Sequence, residues 1–448
     1  MTHYRVAMRI PAILIILLIV QSCGYQSFPP STKGIAPEYP ISLRYDCPPD
    51  TDLFDRRYGE VKLVDPYLIT SEYRDFPEQF PGISESSFDA WSRLLEVFKA
   101  HNIEIIILPV LPRGFVPDNK FDRDYPNPDV RSAYQRWLAD IEANDINAIR
   151  VDRSDLAPDH YFGTTLDWTP RGSLFYAQAV LAELDSPAID LDNSQEGTAI
   201  QASGNLRSHV ERRCTIRLPR EKAPSFKYPT YLTNDPKQRF TVIGTPRSED
   251  TRLGFGDALR AGLGHEIDVF AGSKSSDQWL AWINNRAKTN SPKETVIWEL
   301  DPSRPVGSRS LFMQIAPTLY GGCRAGAHVA EATRQVDDDG RAQEAMFFPN
   351  GLSENPNSLL LDAKVFNNDV NNVSVRAWLR NGETRQASLS LGSLEQDGQR
   401  FLLELSNLRF SKALDLTAID IFDVVDDTGN PAAKSSISLK LCHVPELE

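Results

Sequence analysis

From Arg239 to Leu300 the chain alternates short apolar runs with amphipathic ones, and this alternation restricts the fold more than any other feature of the sequence. Phe240 to Gly244, Ile267 to Phe270 and Thr295 to Leu300 read as strands, with helices over Phe255 to Leu263 and Ser276 to Lys288 between them. Strands separated by helices require crossover connections, which are right-handed and give a mostly parallel sheet with helices on its faces. The pattern begins earlier in the chain. Ser87 to Ala100 reads as a helix with Phe88, Trp91, Leu95 and Phe98 in its apolar stripe. Ile103 to Leu108 follows, apolar except for Glu104, as expected of a strand covered on both sides. A helix from Asp129 or Val130 to Asn144 and a short strand over Ala148 to Val151 come next. After Asp190 the chain loses its periodicity until Arg239, and so long a loop is acceptable only if stapled or functional.

A chain of 448 residues exceeds one ordinary core and implies two domains. With 41% apolar and 24% charged residues it reads as globular. The formal charge of −13 argues against nucleic acid as a partner, while local basic patches still allow an anionic polysaccharide. Arg5 and Arg9 precede the apolar run Ile10 to Val20, which is short for a membrane span and reads as an export signal over residues 1–22. Val20-Gln21-Ser22-Cys23 is either a lipobox, with Cys23 lipidated and Gly24 directing it to the outer membrane, or an ordinary cleavage site beside an incidental cysteine. Residues 23–46, rich in Pro and Ser, form a tether. Cys47, Cys214, Cys323 and Cys442 remain, an even number that implies disulfides in an exported chain and leaves three pairings open. No cysteine spacing suits zinc, the histidines are scattered, and neither metal nor cofactor is expected.

Beyond about Leu352 the pattern changes to alternation with period two. Val373, Val375, Ala377 and Leu379 occupy one face of a strand, and Ser374, Arg376, Trp378 and Arg380 the other. Asn381-Gly382 turns the chain, placing Arg385 across the hairpin. With strands at Phe401 to Leu405, Ala418 to Val425 and Ile437 to Leu441, residues 351–448 read as a small all-β sandwich. Trp378 between two arginines suits a polyuronate, its ring against the sugar's C–H face and the guanidinium groups on carboxylates. Packing of the indole on arginine stems is the competing reading.

One stretch joins these parts: Tyr161-Phe162-Gly163-Thr164-Thr165-Leu166-Asp167-Trp168-Thr169-Pro170-Arg171-Gly172. Thr169 caps and Pro170 opens a helix whose Leu174, Ala177, Leu181 and Leu184 share a face. The stretch resembles the Asp-Thr-His-Trp-Thr-Pro signature of the AlgX/AlgJ family, SGNH-hydrolase-like alginate O-acetyltransferases of the periplasm. Trp168, Thr169, Pro170 and Gly172 match. Thr165 stands where the family has its catalytic Asp, and Asp167 where it has its catalytic His. The family's Gly-Thr-Ser turn resembles Gly244-Thr245-Pro246, with Pro246 at the nucleophile's position. Pro109-Val110-Leu111-Pro112-Arg113-Gly114 resembles its Pro-Arg-Gly turn. The resemblance implies an SGNH-hydrolase-like α/β domain over residues 47–350, a carbohydrate-binding β-sandwich after it, and the disulfides Cys47–Cys214 and Cys323–Cys442.

Acyl transfer of this kind needs a Ser activated by a His that an Asp orients, with N–H donors for the oxyanion. Proline supplies neither hydroxyl nor N–H, so the usual mechanism is expected to be lost. Ser248 and His160 are the fallback pair, although Ser248 also reads as a turn residue and His160 as a surface histidine beside Asp159. His265, at a helix end, reads as a cap. Arg113 and Arg171 either meet an anionic sugar at the strand ends or form structural ion pairs. Three functions follow from these observations. The first is a protein that binds an alginate-like acidic polymer during its O-acetylation or export, in company with a periplasmic or outer-membrane export complex. The second is an acetyltransferase or acetylesterase with a rearranged Ser and His. The third is a structural lipoprotein of a secretion complex.

Overall fold

In a computed structural model the chain is described from residue 53 to 444 apart from short gaps, the longest at 117–127, 187–194, 230–237, 287–292 and 409–415. The export signal, Cys23, the tether and Cys47 lie outside the described residues. Helix α1 (Glu85–Ala100) leads into β1 (Ile103–Pro109); α2 (Pro128–Ala143), β2 (Asn147–Ala148) and α3 (Pro170–Glu183) follow. Next come β3 (Arg239–Gly244), the one-turn α4 (Pro246–Glu249), α5 (Phe255–Leu263), β4 (Ile267–Ala271), α6 (Ser275–Arg286), β5 (Glu294–Leu300) and α7 (Arg309–Leu319). The five strands form one sheet in the order β4-β3-β5-β1-β2, parallel throughout.

The sheet is apolar because both of its faces are covered. Every residue of β5 is buried. Trp298 on β5 meets Trp91 of α1 and Trp279 of α6, and Trp91 packs on Phe312 of α7 at 4.9 Å between ring centroids. A second aromatic group sets Trp168 against Tyr176 of α3 and Phe255 of α5. Phe88 departs from expectation. It is 42% exposed, because the buried stripe of α1 runs through Trp91, Leu94, Val97 and Phe98. The segment expected to be irregular holds a helix, Asn205–Arg213, whose Leu206 and Val210 bury with Cys214, and four two-residue strands.

The all-β part begins earlier than residue 351. Strand β6 (His328–Gln335) and β7 (Ala342–Leu352) precede β8 (Leu359–Val365), β9 (Val370–Leu379), β10 (Thr384–Leu389), β11 (Ser393–Glu395), β12 (Gly398–Glu404), β13 (Leu416–Asp426) and β14 (Ser436–His443). They make two antiparallel sheets, β6-β14-β8-β12-β11 and β7-β13-β9-β10. β6 is exposed along much of its length, so its apolar alternation is weak in the sequence. The β9–β10 hairpin turns through the four residues 380–383, with Asn381-Gly382 at their centre. Gly382 donates to the Leu379 carbonyl and takes φ +83°, which a side chain would resist.

The β-sandwich is joined to the α/β part by polar contacts. Arg93 of α1 pairs with the buried Glu404 at 3.3 Å, and Arg309 of α7 donates to the Asn407 carbonyl. Cys323 and Cys442 are disulfide-bonded, as the resemblance implies, across 119 residues of sequence. Asp362 accepts from the Cys323 N–H at 2.9 Å and holds Arg400 beside the bond. Cys214 is also a disulfide cysteine, and its expected partner Cys47 is outside the described residues. In the chain-entropy account a loop this long contributes on the order of 4–5 kcal/mol. Cys442→Ser is therefore expected to lower the free energy of unfolding by about that amount in urea titrations, with the far-ultraviolet spectrum retained.

Candidate functional site

The carboxyl ends of β1, β3 and β5 converge on the loop between Tyr161 and Trp168, where ligands of parallel α/β sheets commonly bind. That loop is a closed hairpin. Tyr161 and Trp168 form a β-bridge, and Phe162 donates to the Asp167 carbonyl while Thr169 donates to that of His160. Thr169 then caps α3 by accepting from Gly172 N–H at 3.2 Å.

Arg113 fixes the loop from beneath. The side chain is 4% exposed, and its Nη1 donates to the carbonyls of Phe162, Gly163 and Thr165 at 2.7, 2.8 and 2.9 Å. Its Nη2 donates to the Ile69 carbonyl and to Asp75 Oδ2, the latter at 2.7 Å. Of the two readings of Arg113, these contacts are those of the structural ion pair. A guanidinium whose donors converge on buried carbonyls and a buried carboxylate has no face left for a ligand. Arg171, by contrast, is exposed and pairs with Asp159 at 2.6 Å on the first turn of α3. From the far side Glu221 accepts from Gly163 N–H at 2.8 Å and Thr164 N–H at 3.0 Å. Neither Glu221 nor Asn205, which lies beside Thr165, is distinguishable in the sequence, because the segment carrying them has no periodicity.

The three positions singled out by resemblance are brought together. The Thr165 hydroxyl stands 2.8 Å from Asp167 Oδ2 and 2.9 Å from Asn205 Oδ1. Arg247, next to Pro246, places Nε 3.8 Å from Asp167 Oδ1. Burial works against the Arg247 charge, but the carboxylates of Glu299, Asp167 and Asp301 outweigh it and hold the guanidinium protonated. The Asp167 carboxylate and the Arg247 guanidinium thus face each other in the cleft, with the buried Thr165 hydroxyl bonded to Asp167 behind them.

The fallback residues do not meet. The Ser248 hydroxyl donates to Glu299, which also accepts from Thr245 N–H at 2.9 Å and Thr245 Oγ1 at 2.6 Å. Ser248 is 4% and Glu299 3% exposed, so this group is sealed away from substrate. Gly244 makes the packing possible, since a Cβ there would lie 2.6 Å from both Glu299 Oε2 and Ser248 Oγ. His160 is buried, not a surface residue. Its ring stacks on Phe175 at 4.6 Å and its Nδ1 accepts from Ala157 N–H at 3.2 Å. His265 packs on Phe240 instead. Tyr161, whose phenol burial pushes well up, donates to the Leu111 carbonyl at 2.5 Å and is no base at neutral pH. Among the described residues no cluster of His, Cys, Asp and Glu could hold a metal.

Two measurements test these assignments. Arg113→Ala strips the buried Asp75 carboxylate of its cation, leaving it the Ser71 N–H at 2.7 Å, and removes a donor from three loop carbonyls, and the expected loss is about 3–5 kcal/mol in urea unfolding. Burial holds the His160 imidazole down at about 4, against 6.5 in an unfolded chain, with Asp159 opposing the shift and Arg171 adding to it. The neutral form is the one that folds, so this contribution is complete above pH 6.5 and is lost as pH falls towards 4. Thermal midpoints should drop over that window, and His160→Gln should flatten the drop whatever its effect at neutral pH.

The comparisons with known proteins agree with this architecture. Residues 68–302, a little over half of the chain, match the family model described as an SGNH hydrolase-like domain, acetyltransferase AlgX. The chain is 20% identical to the alginate biosynthesis protein AlgX of Pseudomonas syringae pv. tomato, covering 70% of each chain. It is 20% identical to AlgX of Pseudomonas fluorescens, over 80% of this chain and 78% of that one. The solved structure of Pseudomonas aeruginosa AlgX shares the fold, with a TM-score of 0.70 at 16% identity, covering 87% of this chain and 96% of the other. With a parallel α/β layer that ends in the cleft of Asp167 and Arg247 and is followed by an antiparallel β-sandwich, the chain belongs to the AlgX family of SGNH-hydrolase-like proteins.

Proposed function

We propose that this protein binds an alginate-like acidic exopolysaccharide in the periplasm, holding the polymer during its O-acetylation or export, and that it does so without Ser-His-Asp chemistry. The observation that carries the reading is the pairing inside the cleft. Asp167, at the family's His position, is tied to Thr165 and faces the Arg247 guanidinium, and Pro246 offers neither hydroxyl nor N–H. No described Ser hydroxyl reaches a His, the arrangement on which acyl transfer of this class depends. The names of the AlgX relatives direct the reading to alginate.

The β-sandwich supports the binding half of the proposal. Trp378 is 37% exposed, and Asp420 fixes its indole by accepting from Nε1 at 2.5 Å. Arg376 lies over the rings of Phe422 and Trp378, 4.6 and 5.9 Å from their centroids, and meets no carboxylate among the described residues. Ser374, by contrast, is buried, and Arg385 is paired with Glu383 at 3.0 Å. Arg380 donates to the Asn350 carbonyl. The recognition face therefore rests mainly on Trp378 and Arg376. Phe347, which sequence reading did not single out, joins them. It is 57% exposed and pairs across Ala418 with Trp378, so both rings rise from one row of the sheet with a small residue between them. Two aromatic rings flanking an alanine make a platform for successive sugar rings, and Arg376 supplies the cation for a carboxylate. Residues 23–46, with Cys23 lipidated, would tether this platform to the outer membrane beside an export complex.

Titration of oligouronates into the full chain, run beside hydrolysis of a chromogenic acetate, separates binding from chemistry. Trp378→Ala is expected to weaken oligouronate binding by about three- to tenfold. Arg376→Gln should weaken the acidic ligand while leaving a neutral oligosaccharide unaffected. Ester hydrolysis should stay at the solvent background, and turnover lost on Ser248→Ala would replace this reading with that of an enzyme.

A further inference from the structure

Between Asn205 and Lys227 the sign of the charge reverses. The chain as a whole carries a formal −13, yet this stretch holds seven lysines and arginines against two acids, Glu211 and Glu221. Its fold sorts the two signs. Glu211, in the last turn of the helix Asn205–Arg213, accepts from Leu218 N–H at 2.8 Å and faces Arg207 at 3.7 Å. Glu221 turns to the cleft hairpin and accepts from Gly163 and Thr164 N–H. Both carboxylates are thereby committed to backbone donors. Arg212, Arg217, Arg220 and Lys222 are all exposed, and none pairs with a carboxylate among the described residues.

Folding accounts for only part of this row. Cations in the last turn of a helix are favoured by its dipole, which explains Arg212. Arg217, Arg220 and Lys222 lie beyond the helix, where that reason lapses. Arg220 and Lys222 flank Glu221 in an extended segment whose register is fixed by the pairing of Lys222 with Gln201 and by the Ala202 N–H on the Glu221 carbonyl. Alternate side chains of an extended chain share a face, so the inward turn of Glu221 sets both cations outward. A row of like charges without counter-charges repels itself, and a polyanion laid along it removes that repulsion.

The row also has a definite place in the fold, because the inner side of the same segment grips the cleft hairpin. Besides the contacts of Glu221, Arg207 N–H donates to the Thr164 carbonyl at 3.1 Å. Asn205 Oδ1 lies 2.9 Å from the Thr165 hydroxyl, which in turn bonds Asp167.

We infer that the outward row from Arg212 to Lys222 is a track for a long polyanion and, resting on the function proposed above for the ligand's identity, that it carries an acidic polysaccharide past the cleft. An anionic membrane surface would use the same charges, but docking of that kind also inserts apolar side chains. The exposed large apolar residues among those described, Tyr73, Phe88, Phe347, Phe366 and Trp378, all lie outside this stretch. Separate guanidinium and ammonium groups in a row fit a chain with a carboxylate on each sugar, and a short oligomer spans too few of them to gain.

The test is calorimetric titration of the full chain with alginate, with its trisaccharide and with dextran as the neutral control, in wild type and two variants of equal charge. In R217Q/R220Q/K222Q alginate should bind about tenfold more weakly at low ionic strength, with a flatter salt dependence, while the trisaccharide binds as before. The three side chains are exposed and unpaired, so the thermal midpoint should not move. R131Q/R136Q/R334Q removes three exposed cations outside the row and should leave alginate affinity unchanged. Dextran should give no heat with any of them. Three results overturn the track: alginate affinity equal to wild type in the first variant, an equal loss in both variants, or a first variant that binds alginate normally yet no longer binds vesicles of equal parts phosphatidylethanolamine and phosphatidylglycerol. A wild type that binds no alginate would remove the proposed function as well, whereas binding that responds to Trp378→Ala and not to the first variant removes the track alone.

Discussion

Arg113 is the interaction around which the cleft is built. A planar cation with its donors fixed in a fork can satisfy several acceptors at once, and here it joins three carbonyls of the Tyr161–Trp168 hairpin to Asp75 and Ile69. A lysine would offer a point charge and could not hold the three loop carbonyls in register. The hairpin in turn sets Thr165 and Asp167 opposite the end of β3 and hands the chain to α3 through the Thr169 cap. Stability and site geometry are thus the same contact seen from two sides.

The cleft lies at the strand ends of the family's α/β layer, and many of its hydroxyls and amides are engaged within the fold. A nucleophile needs a neighbouring base and donors aimed where negative charge develops. Here the turn after β3 begins with Thr245 and Pro246, and Glu299 draws the Thr245 amide, the Thr245 hydroxyl and the Ser248 hydroxyl inward. The polar groups that could have faced a substrate face the sheet. What remains toward solvent is Arg247 against Asp167, a pair whose charges hold each other. The β-sandwich offers the complementary resource, exposed aromatic area beside a cation, and the contacts of α1 and α7 hold both parts in one compact unit.

Much of the layered architecture was legible because it follows from short-range periodicity. Strands β1, β3, β4 and β5 and helices α1, α2, α3, α5 and α6 fall within a few residues of where the apolar spacing places them. The helix Arg309–Leu319 escaped notice because Pro317, near its end, reads as a breaker and the run is only eleven residues long. Strand β6 escaped because its exposed face and its edge position leave little alternation to read. Asn205 and Glu221 escaped for a different reason. Their role depends on a fold-back of the chain that no local pattern encodes.

By itself the sequence determined the class of fold, the pairing of a parallel α/β layer with an antiparallel sandwich, and the absence of a hydroxyl or N–H at Pro246, since these depend on spacing and on residue chemistry alone. Only the tertiary structure decided what each polar residue faces. It made Arg113 a buried clamp rather than a cleft cation, His160 a stacked ring rather than a surface one, and Ser248 a donor to Glu299 rather than a candidate nucleophile. The physical reason is that burial and partner choice arise from contacts between segments tens to hundreds of residues apart, and the free energy of a charge or hydroxyl is set by those contacts rather than by its neighbours along the chain.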